Sequence, residues 1–412
     1  MTRAPVSQLY DAVVDFAPTR GHVPNHAYGL VKRTYLVSEG ELTLAPAKPL
    51  THDIRPGPYG ELPESLPLGS DFWTYKRLTD VVVVGSAHAP GGRSTQHMEV
   101  RCDVGRAVKR IAVFGRRHIE WGREGRARIG SAEGFTTMPI DNAHAYGGID
   151  TRVPYPPIRS LMHALELAAD HPGAYPRNQD GKGYYVVPER FDGIELPNLE
   201  NPDDLLTDER LVLGEPRSWG PQPIPWTFDC QPHGTFPRCL FFGKRPRLGV
   251  PADELTEVRM GMLDEQYELL LTDEPAESEQ ERAAREAFSD RFYQEASAGL
   301  QLAPLRSGLP VRVSGMRRDG AVLSFELPTP PSVELVIAGT VDPVEPMMTN
   351  LVIIPDEGQI LITYCARSDG LPRKLIPGVH AHIPLSLRID GAVAVTYDTP
   401  PPHPPAASAS DG

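Results

Sequence analysis

Short runs of alternating hydrophobic and polar residues, interrupted by Pro and Gly, recur along the chain and predict β-strands. The clearest example starts at His97, after which every second residue up to Val104 is apolar. Gly105 and Arg106 then form a predicted turn, and a second strand returns from Val108 to Phe114. This pattern predicts a β-hairpin with one face in the core.

Other segments predict strands that differ in burial. Four consecutive valines, Val81 to Val84, leave no polar face, so we expect this strand to be buried on both sides. Towards the C-terminus, about six short strands separated by turns favour an antiparallel sheet or a sandwich. Apart from the hairpin and the valine run, the predicted strands cover residues 30–37, 311–313, 323–327, 333–338, 350–354, 359–366 and 385–397.

Two helices are also predicted. Over residues 158–169, apolar side chains recur at three- and four-residue steps, and Pro157 suits the first turn. Residues 276–298 are rich in Glu, Arg, Ala and Gln, and Gly299 would end that helix. We therefore predict a mainly β (β-rich α+β) fold, with antiparallel sheets or sandwich-like units, two peripheral helices and long loops.

Breaks in these patterns suggest three parts. Residues 1–245 are predicted to form an N-terminal β-rich unit, in which the helix 158–169 is inserted. Residues 246–398 are predicted to form a C-terminal unit that contains the helix 276–298 and an antiparallel sheet. Residues 399–412 are a Pro/Ala/Ser tail, which we expect to be disordered because few of its side chains can pack.

Composition and charge exclude several classes of protein. The 412 residues carry a formal net charge of −13, so nucleic acid is not an expected partner. No apolar run of about 18 residues occurs and no signal peptide follows Met1, so we expect a cytoplasmic protein without membrane insertion. The cysteines form no CxxC pair and are interpreted as buried thiols: Cys102, Cys230, Cys239 and Cys365.

The charge is unevenly distributed along the chain. Residues 101–128 contain nine Lys or Arg, whereas residues 253–295 contain 14 Asp or Glu. Each stretch could be an ordinary solvated face. Alternatively, the two could form patches of opposite sign that steer a charged partner.

No motif predicts catalysis or a cofactor. The glycine-rich points lack the spacing of phosphate-binding loops, and no GxSxG elbow occurs. His380 and His382 are spaced so that both rings would lie on one face of a strand, which leaves a metal-dependent hydrolase as an alternative. We predict no catalytic residue, no metal and no cofactor.

Several short blocks each combine a strand end with a tight turn. Val84 to Gly92 leaves the buried valine strand, and Met348 to Gly358 contains a second turn, Pro355 to Gly358. In order, the blocks cover residues 84–92, 109–117, 135–140, 145–148, 175–183, 196–200 and 348–358. This ordered set resembles a bacterial domain-of-unknown-function family, number twenty-one sixty-nine, over residues 30–366.

The resemblance implies a binding function without a catalysed reaction. Members of that family accompany type VI secretion clusters, which implies a non-catalytic adaptor or chaperone that helps load a toxic effector onto the VgrG and PAAR spike. The expected partners are therefore an effector protein and VgrG or a PAAR protein. A second interpretation is that the chain is a structural component of the spike. The motif positions proposed for interaction or structure are Gly91, Gly92, Tyr146, Gly147, Gly148, Asn178, Gly181 and Gly183.

The motif residues have two interpretations each. The glycines could permit positive φ in tight turns, or they could form a backbone surface that a partner strand approaches closely. Tyr146 could anchor an interface or lie in the core. The chain also departs from the family pattern, with Asn142 and His144 where members usually carry Trp and Arg, and without a proline after Asn178.

Overall fold

The computed structural model describes most of the strand-rich part of the chain. The described residues are 2–3, 9–16, 27–51, 71, 76–122, 126–153, 175, 178, 180–185, 193–211, 225–230, 279, 294–368 and 384–396. Within them the protein is mainly β, as the sequence predicts.

Strands and short 3-10 turns follow one another along these residues. The strands are β1 (Thr2–Arg3), β2 (Asp11–Phe16), β3 (Ala27–Ser38), β4 (Glu41–Ala45), β5 (Thr79–Val83), β6 (Ser86–His88), β7 (His97–Val104), β8 (Ala107–Phe114), β9 (Ile119–Trp121), β10 (Ala127–Ile129), β11 (Thr137–Pro139), β12 (Tyr146–Gly147), β13 (Lys182–Gly183), β14 (Leu199–Glu200), β15 (Gln301–Leu302), β16 (Pro310–Ser314), β17 (Leu323–Glu326), β18 (Val333–Ile337), β19 (Thr340–Val344), β20 (Met347–Ile354), β21 (Gln359–Arg367), β22 (Leu385–Ile389) and β23 (Ala392–Thr396).

Three sheets carry most of these strands. The largest has the order β1-β2-β3-β21-β20-β5-β15, with β4 also paired to β3. A five-stranded sheet has the order β14-β8-β7-β16-β17, and a four-stranded sheet has the order β19-β18-β22-β23. Most neighbours are antiparallel, but β5 and β20 run parallel.

The largest core cluster lies between the eight-stranded and five-stranded sheets. The inward side chains of the hairpin β7–β8, such as Val100 and Ile111, pack with apolar residues of β5, β20 and β21. All five residues of β5 are buried, which confirms the prediction from the valine run. The sequence placed the hairpin correctly because only one of its faces is apolar.

The four-stranded sheet packs against another part of the eight-stranded sheet. Val31 and Ala12 form a cluster with Leu335 and Leu387 of the smaller sheet. The approach is close at Gly29, where a Cβ atom would lie 2.5 Å from Leu387 Cδ1. The missing side chain of Gly29 therefore lets the two sheets meet.

The strands after residue 245 form the four-stranded sheet by themselves, but others of them join strands from the first half of the chain. β16 and β17 join the hairpin β7–β8, and β20 pairs with both β5 and β21. Strands from both sides of residue 245 thus share two sheets, and the predicted boundary between residues 245 and 246 does not separate the sheets. Sequence patterns miss this because cross-strand pairing joins residues that are far apart in the chain.

Two strand predictions need correction. The single strand predicted over residues 385–397 is a hairpin, β22–β23, whose turn contains Asp390 and Gly391, both with positive φ. The strand β19 was not predicted, because Asp342 and Pro343 interrupt its pattern. The hairpin turn at Pro355 to Gly358 is confirmed.

The helix predictions are mostly untested. The helix 158–169 and the tail 399–412 lie outside the described residues, as does most of the helix 276–298. The last part of the latter prediction is wrong, since residues 294–298 are not helical and Ala296 forms a β-bridge with Cys230. Among the described residues, no helix is long and apolar enough to cross a membrane.

Candidate functional site

Most of the predicted motif residues meet in one place, which we call the Asn178 knot: Asn142, Tyr146, Gly147, Gly148, Asn178, Gly181 and Gly183. Its frame is the parallel pair β12–β13. The Gly148 N–H donates to Asn178 O at 2.8 Å, and the Tyr184 N–H donates to Gly147 O at 2.9 Å. The knot therefore joins the family blocks 145–148 and 175–183 through their backbones.

The glycines of the knot are required by close backbone contact. Gly147 has a φ of +150°, and a Cβ atom there would lie 2.1 Å from Asn178 O. A Cβ atom on Gly148 would lie 2.6 Å from Gly181 O, and one on Gly181 would lie 2.6 Å from Ala145 O. The glycines thus allow positive φ and close contact with backbone of the same chain, whereas the approach of a partner strand stays a prediction.

Asn178 fixes the knot with its side chain. The fully buried amide donates from Nδ2 to Asn142 O at 2.7 Å and to Tyr146 O at 3.1 Å. The amide of Asn142 donates in turn to Asp229 Oδ2 at 3.1 Å and to Cys230 O at 2.6 Å. Asn142 therefore links the knot to residues 225–230.

Aromatic residues pack around the knot. The ring centroid of Tyr146 lies 4.9 Å from that of Tyr175 in an edge-on arrangement, and Tyr175 and Tyr184 are 5.2 Å apart. These rings belong to one buried cluster with Ile119 and Leu196. Tyr146 is thus a core residue in this structure rather than an exposed anchor.

A second junction joins the blocks 109–117 and 196–200. The Arg117 guanidinium lies 3.9 Å from the centroid of the Phe114 ring, donates to Pro197 O at 2.7 Å and is hydrogen-bonded to Glu200. Asn198 closes the junction, since its Nδ2 donates to Phe114 O at 3.1 Å. Both members of the Arg117–Glu200 ion pair are buried.

The remaining motif glycines, Gly91 and Gly92, lie apart from the knot. They form an exposed turn with φ values of +61° and +67°, and nothing lies within 4 Å of a Cβ atom built at either position. Here the tight-turn interpretation applies. Close by in the chain, His88 Nε2 lies 2.8 Å from Asp356 Oδ2, so the blocks 84–92 and 348–358 also meet.

Sequence reasoning missed a line of polar residues across the eight-stranded sheet. These residues are directly opposite one another on successive strands, so their side chains share one face. We call them the polar row: Asp11, Lys32, Thr363, Asn350, Asp80 and Gln301. All except Gln301 are buried.

Three further charged side chains complete the polar row. Asp71 Oδ2 lies 2.7 Å from Lys32 Nζ, and Lys76 Nζ lies 2.7 Å from Asp80 Oδ2. Lys76 Nζ also lies 3.3 Å from Glu295 Oε2 and donates to Asn350 Oδ1 at 2.6 Å. The row thus fastens segments near residues 71–76 and 295 to the sheet.

Pairing keeps these buried groups charged. Burial by itself would raise the pKa of Asp71, but Lys32 and the hydrogen bonds from Lys32, Thr363 and the Thr51 N–H hold that pKa below its ordinary value. Burial would likewise lower the pKa of Lys76, but Asp80 and Glu295 raise it above the ordinary value. Asp71 and Lys76 are therefore charged at neutral pH.

Most of the described cations in the basic stretch 101–128 are paired or buried. Of its cations, Arg101, Arg110, Arg116, Arg117 and Arg128 each lie within ion-pair distance of an acidic side chain. Lys109 is buried. The acidic stretch 253–295 lies almost entirely outside the described residues, and its Glu295 is paired with Lys76. The solvated-face interpretation therefore fits the basic stretch better than a steering patch does.

The candidate reactive groups give no catalytic arrangement among the residues that the structure describes. Cys102 and Cys365 are buried, and burial raises the pKa of each thiol to about 12. Cys230 is also buried, as predicted, and Cys239 lies outside the described residues. His380 and His382 also lie outside them, and within them no group of three or more metal-ligating side chains occurs.

Comparison with known proteins identifies a family. The family model DUF2169, described as an uncharacterized protein conserved in bacteria, matches residues 23–365. No curated protein and no solved structure matches the chain significantly. The matched range includes the Asn178 knot and the junction at Arg117.

Proposed function

We propose a function for this chain, which belongs to the DUF2169 family of uncharacterized proteins conserved in bacteria: it is a non-catalytic adaptor or chaperone. In this proposal it binds a type VI secretion effector and helps load it onto the VgrG and PAAR spike. The partners and the secretion pathway come from the family resemblance.

The observation that favours an adaptor is how the family blocks meet. The blocks 109–117, 145–148, 175–183 and 196–200 are joined by backbone contacts and by the side chains of Asn178, Arg117 and Asn198. Asn178, Arg117 and Asn198 each bond across from one block to the residues of another segment. Such a framework suits a protein that presents a fixed surface to a partner, because little ordering cost remains on binding.

The exposed turn at Gly91 and Gly92 is the proposed docking point. The residues just before this turn are fixed by the strand pair β6–β11 and by the contact of His88 with Asp356. Arg93, which directly follows the turn, is exposed. Arg318, whose Nε lies 3.5 Å from Asp356 Oδ2, is also exposed. A rigid base with an accessible backbone turn fits recognition of an extended segment of a partner protein.

The proposal is tested by affinity purification of the tagged protein from its native cell, with mass spectrometry of the proteins that accompany it. We expect an effector, VgrG or a PAAR protein to be recovered. The double variant Gly91→Trp and Gly92→Trp should abolish this recovery, whereas Arg128→Glu, on the exposed hairpin β9–β10, should not. Clean isolation of the intact protein without any of these partners would overturn the proposal.

Two other results would favour the alternatives. Stable presence of the chain in secreted spikes would indicate a structural component of the spike. Stoichiometric metal that is lost in the variant His380→Ala would indicate the hydrolase.

A further inference from the structure

Lys109 occupies a position that the strand pattern reserves for an apolar residue. Its neighbours on the same face of β8, Ile111 and Val113, are core residues, and Cys102 lies directly opposite on β7. Lys109 itself is only 2 % exposed. A lysine thus projects into the layer between two sheets, where its amino group has almost no access to water.

The amino group of Lys109 joins two distant chain segments. Nζ donates to Ser297 Oγ at 2.8 Å and to Ala298 O at 2.7 Å, and it lies 4.4 Å from the centroid of the Trp226 ring. Ser297 Oγ also donates to Thr227 O at 2.6 Å. One side chain therefore holds residues 225–230 and 294–300 against β8.

The same two segments continue the hydrogen bonding of β5. The Val81 N–H donates to Leu300 O at 2.9 Å, and the Val83 N–H donates to Phe228 O at 3.2 Å. Cys230 and Ala296 form a β-bridge between the segments. Residues 225–230 and 294–300 are therefore paired with each other as well as with β5.

The charges around Lys109 differ from those around Lys76. Among the described contacts of Lys109 there is no carboxylate: β7 offers Cys102, residues 225–230 offer the Trp226 ring, and residues 294–300 offer Ser297 Oγ and Ala298 O.

The acidic residues on the elements packed around Lys109 have other partners. Asp103 pairs with Arg101, Asp229 accepts from Asn142, and Asp80 and Glu295 pair with Lys76. Burial lowers the pKa of Lys109 to about 7, and Cys102 acts in the opposite direction.

We propose that Lys109 is a proton-controlled latch that holds residues 225–230 and 294–300 against β8. The neutral amine holds residues 225–230 and 294–300 in place, since it can still donate to both oxygens. Protonation creates an ammonium without a counter-charge in a dry layer, so the state in which these segments separate and water reaches Nζ gains population. This inference rests on the described contacts and is independent of the adaptor proposal.

Hydrogen exchange followed by mass spectrometry tests the latch. After correction for the intrinsic exchange rate, peptides that cover residues 79–83, 225–230 and 294–300 should exchange about tenfold faster for each pH unit as the pH falls from about 10 to about 7, and the acceleration should level off below pH 7, where the amine is protonated in both states. The variant Lys109→Met should remove this response, and Lys109→Arg should give fast exchange at both pH 6 and pH 8. Lys48→Met, which changes an exposed lysine, should behave as the wild type.

Two results would overturn the latch. One is equal protection of the wild-type segments at pH 6 and pH 8, and the other is an unchanged pH response in Lys109→Met. If the variants fail to fold, selective NMR of the lysine side chains measures the pKa of Lys109 in the wild-type protein. The chain has only seven lysines, so their signals can be assigned individually. A Lys109 amine that titrates near its ordinary pKa of about 10.4 would contradict the proposal.

Discussion

The polar row and the Asn178 knot are both buried and polar, but they are held together in different ways. In the row, side-chain charges such as Lys76 and Asp80 compensate one another across strands and covering segments. In the knot, backbone groups bond to backbone groups, and glycines such as Gly147 allow the approach. The row is therefore stable only when each buried charge has its oppositely charged partner. The knot is stable only when its glycines carry no Cβ atom, because a Cβ atom would collide with the neighbouring backbone.

The largest expected effect comes from removing one charge of the polar row. Lys76→Met leaves Asp80 and Glu295 buried without their cation, so the free energy of unfolding should fall by about 3–5 kcal/mol. Urea unfolding at pH 7 measures the change. Arg128→Met, which breaks the exposed pair with Glu120, is the control and should cost about 0–1 kcal/mol. Equal effects of the two variants would show that the row is not a compensated network.

The next effect comes from adding one atom to the knot. Gly147→Ala places a methyl group on Asn178 O at a strained φ, and the free energy of unfolding should fall by about 2–4 kcal/mol. The matched variant Gly91→Ala also has a positive φ but has open space around it, so about 1 kcal/mol is expected. Thermal unfolding of both variants measures the two losses. Gly91→Ala reports backbone strain alone, and Gly147→Ala reports strain together with the collision with Asn178 O. Similar losses would remove close approach as the reason for the glycine at 147.

A smaller effect should follow from the loss of the knot's side-chain bonds. Asn178→Ala removes the two donors to Asn142 O and Tyr146 O, and about 1–3 kcal/mol should be lost. Denaturant unfolding gives the loss, and exchange of the Gly148 and Tyr184 amides should rise. Unchanged exchange of these amides would indicate that the backbone holds the knot without Asn178.

The smallest effect is a pH dependence of the polar row. The pKa of Asp71 is lowered in the folded protein, so its stabilising contribution is present above its ordinary pKa of 3.8 and is lost as the pH falls through the folded value. The difference in unfolding free energy between wild type and Asp71→Asn should therefore be constant from pH 7 to pH 5 and shrink below pH 4. A difference that grows towards acid would mean that the pKa of Asp71 is raised instead.

Local patterns predicted the elements better than their arrangement. The hairpin β7–β8 was predicted closely because alternation and a Gly-containing turn act within a few residues. The parallel pairing of β5 with β20 was not predicted, although both runs are visibly apolar, because pairing between residues 79–83 and 347–354 leaves no local signal. The hairpin β22–β23 was merged into one strand although its turn is Asp390-Gly391, a dipeptide that favours two-residue hairpin turns, so a local signal was missed here.

The candidate site was predicted in part. The structure brings together six of the eight motif residues that the sequence singled out, whereas Gly91 and Gly92 lie apart from the knot, and a role of these residues in partner binding stays a prediction. The signal that could have indicated the polar row is the presence of Asp80, Lys32 and Asn350 beside apolar strand residues. Such residues can equally mark a solvated face, so the pattern by itself does not distinguish the two.

The sequence by itself determined the mainly β character, the positions of the best strands and the membership of a family, because these depend on residue types and their local order. Only the tertiary structure decided that strands from both halves share two sheets, that Lys76 finds Asp80 and Glu295, and that Lys109 finds no carboxylate. The physical reason is that the state of a buried charge depends on its neighbours in space, and those neighbours are set by packing between distant segments.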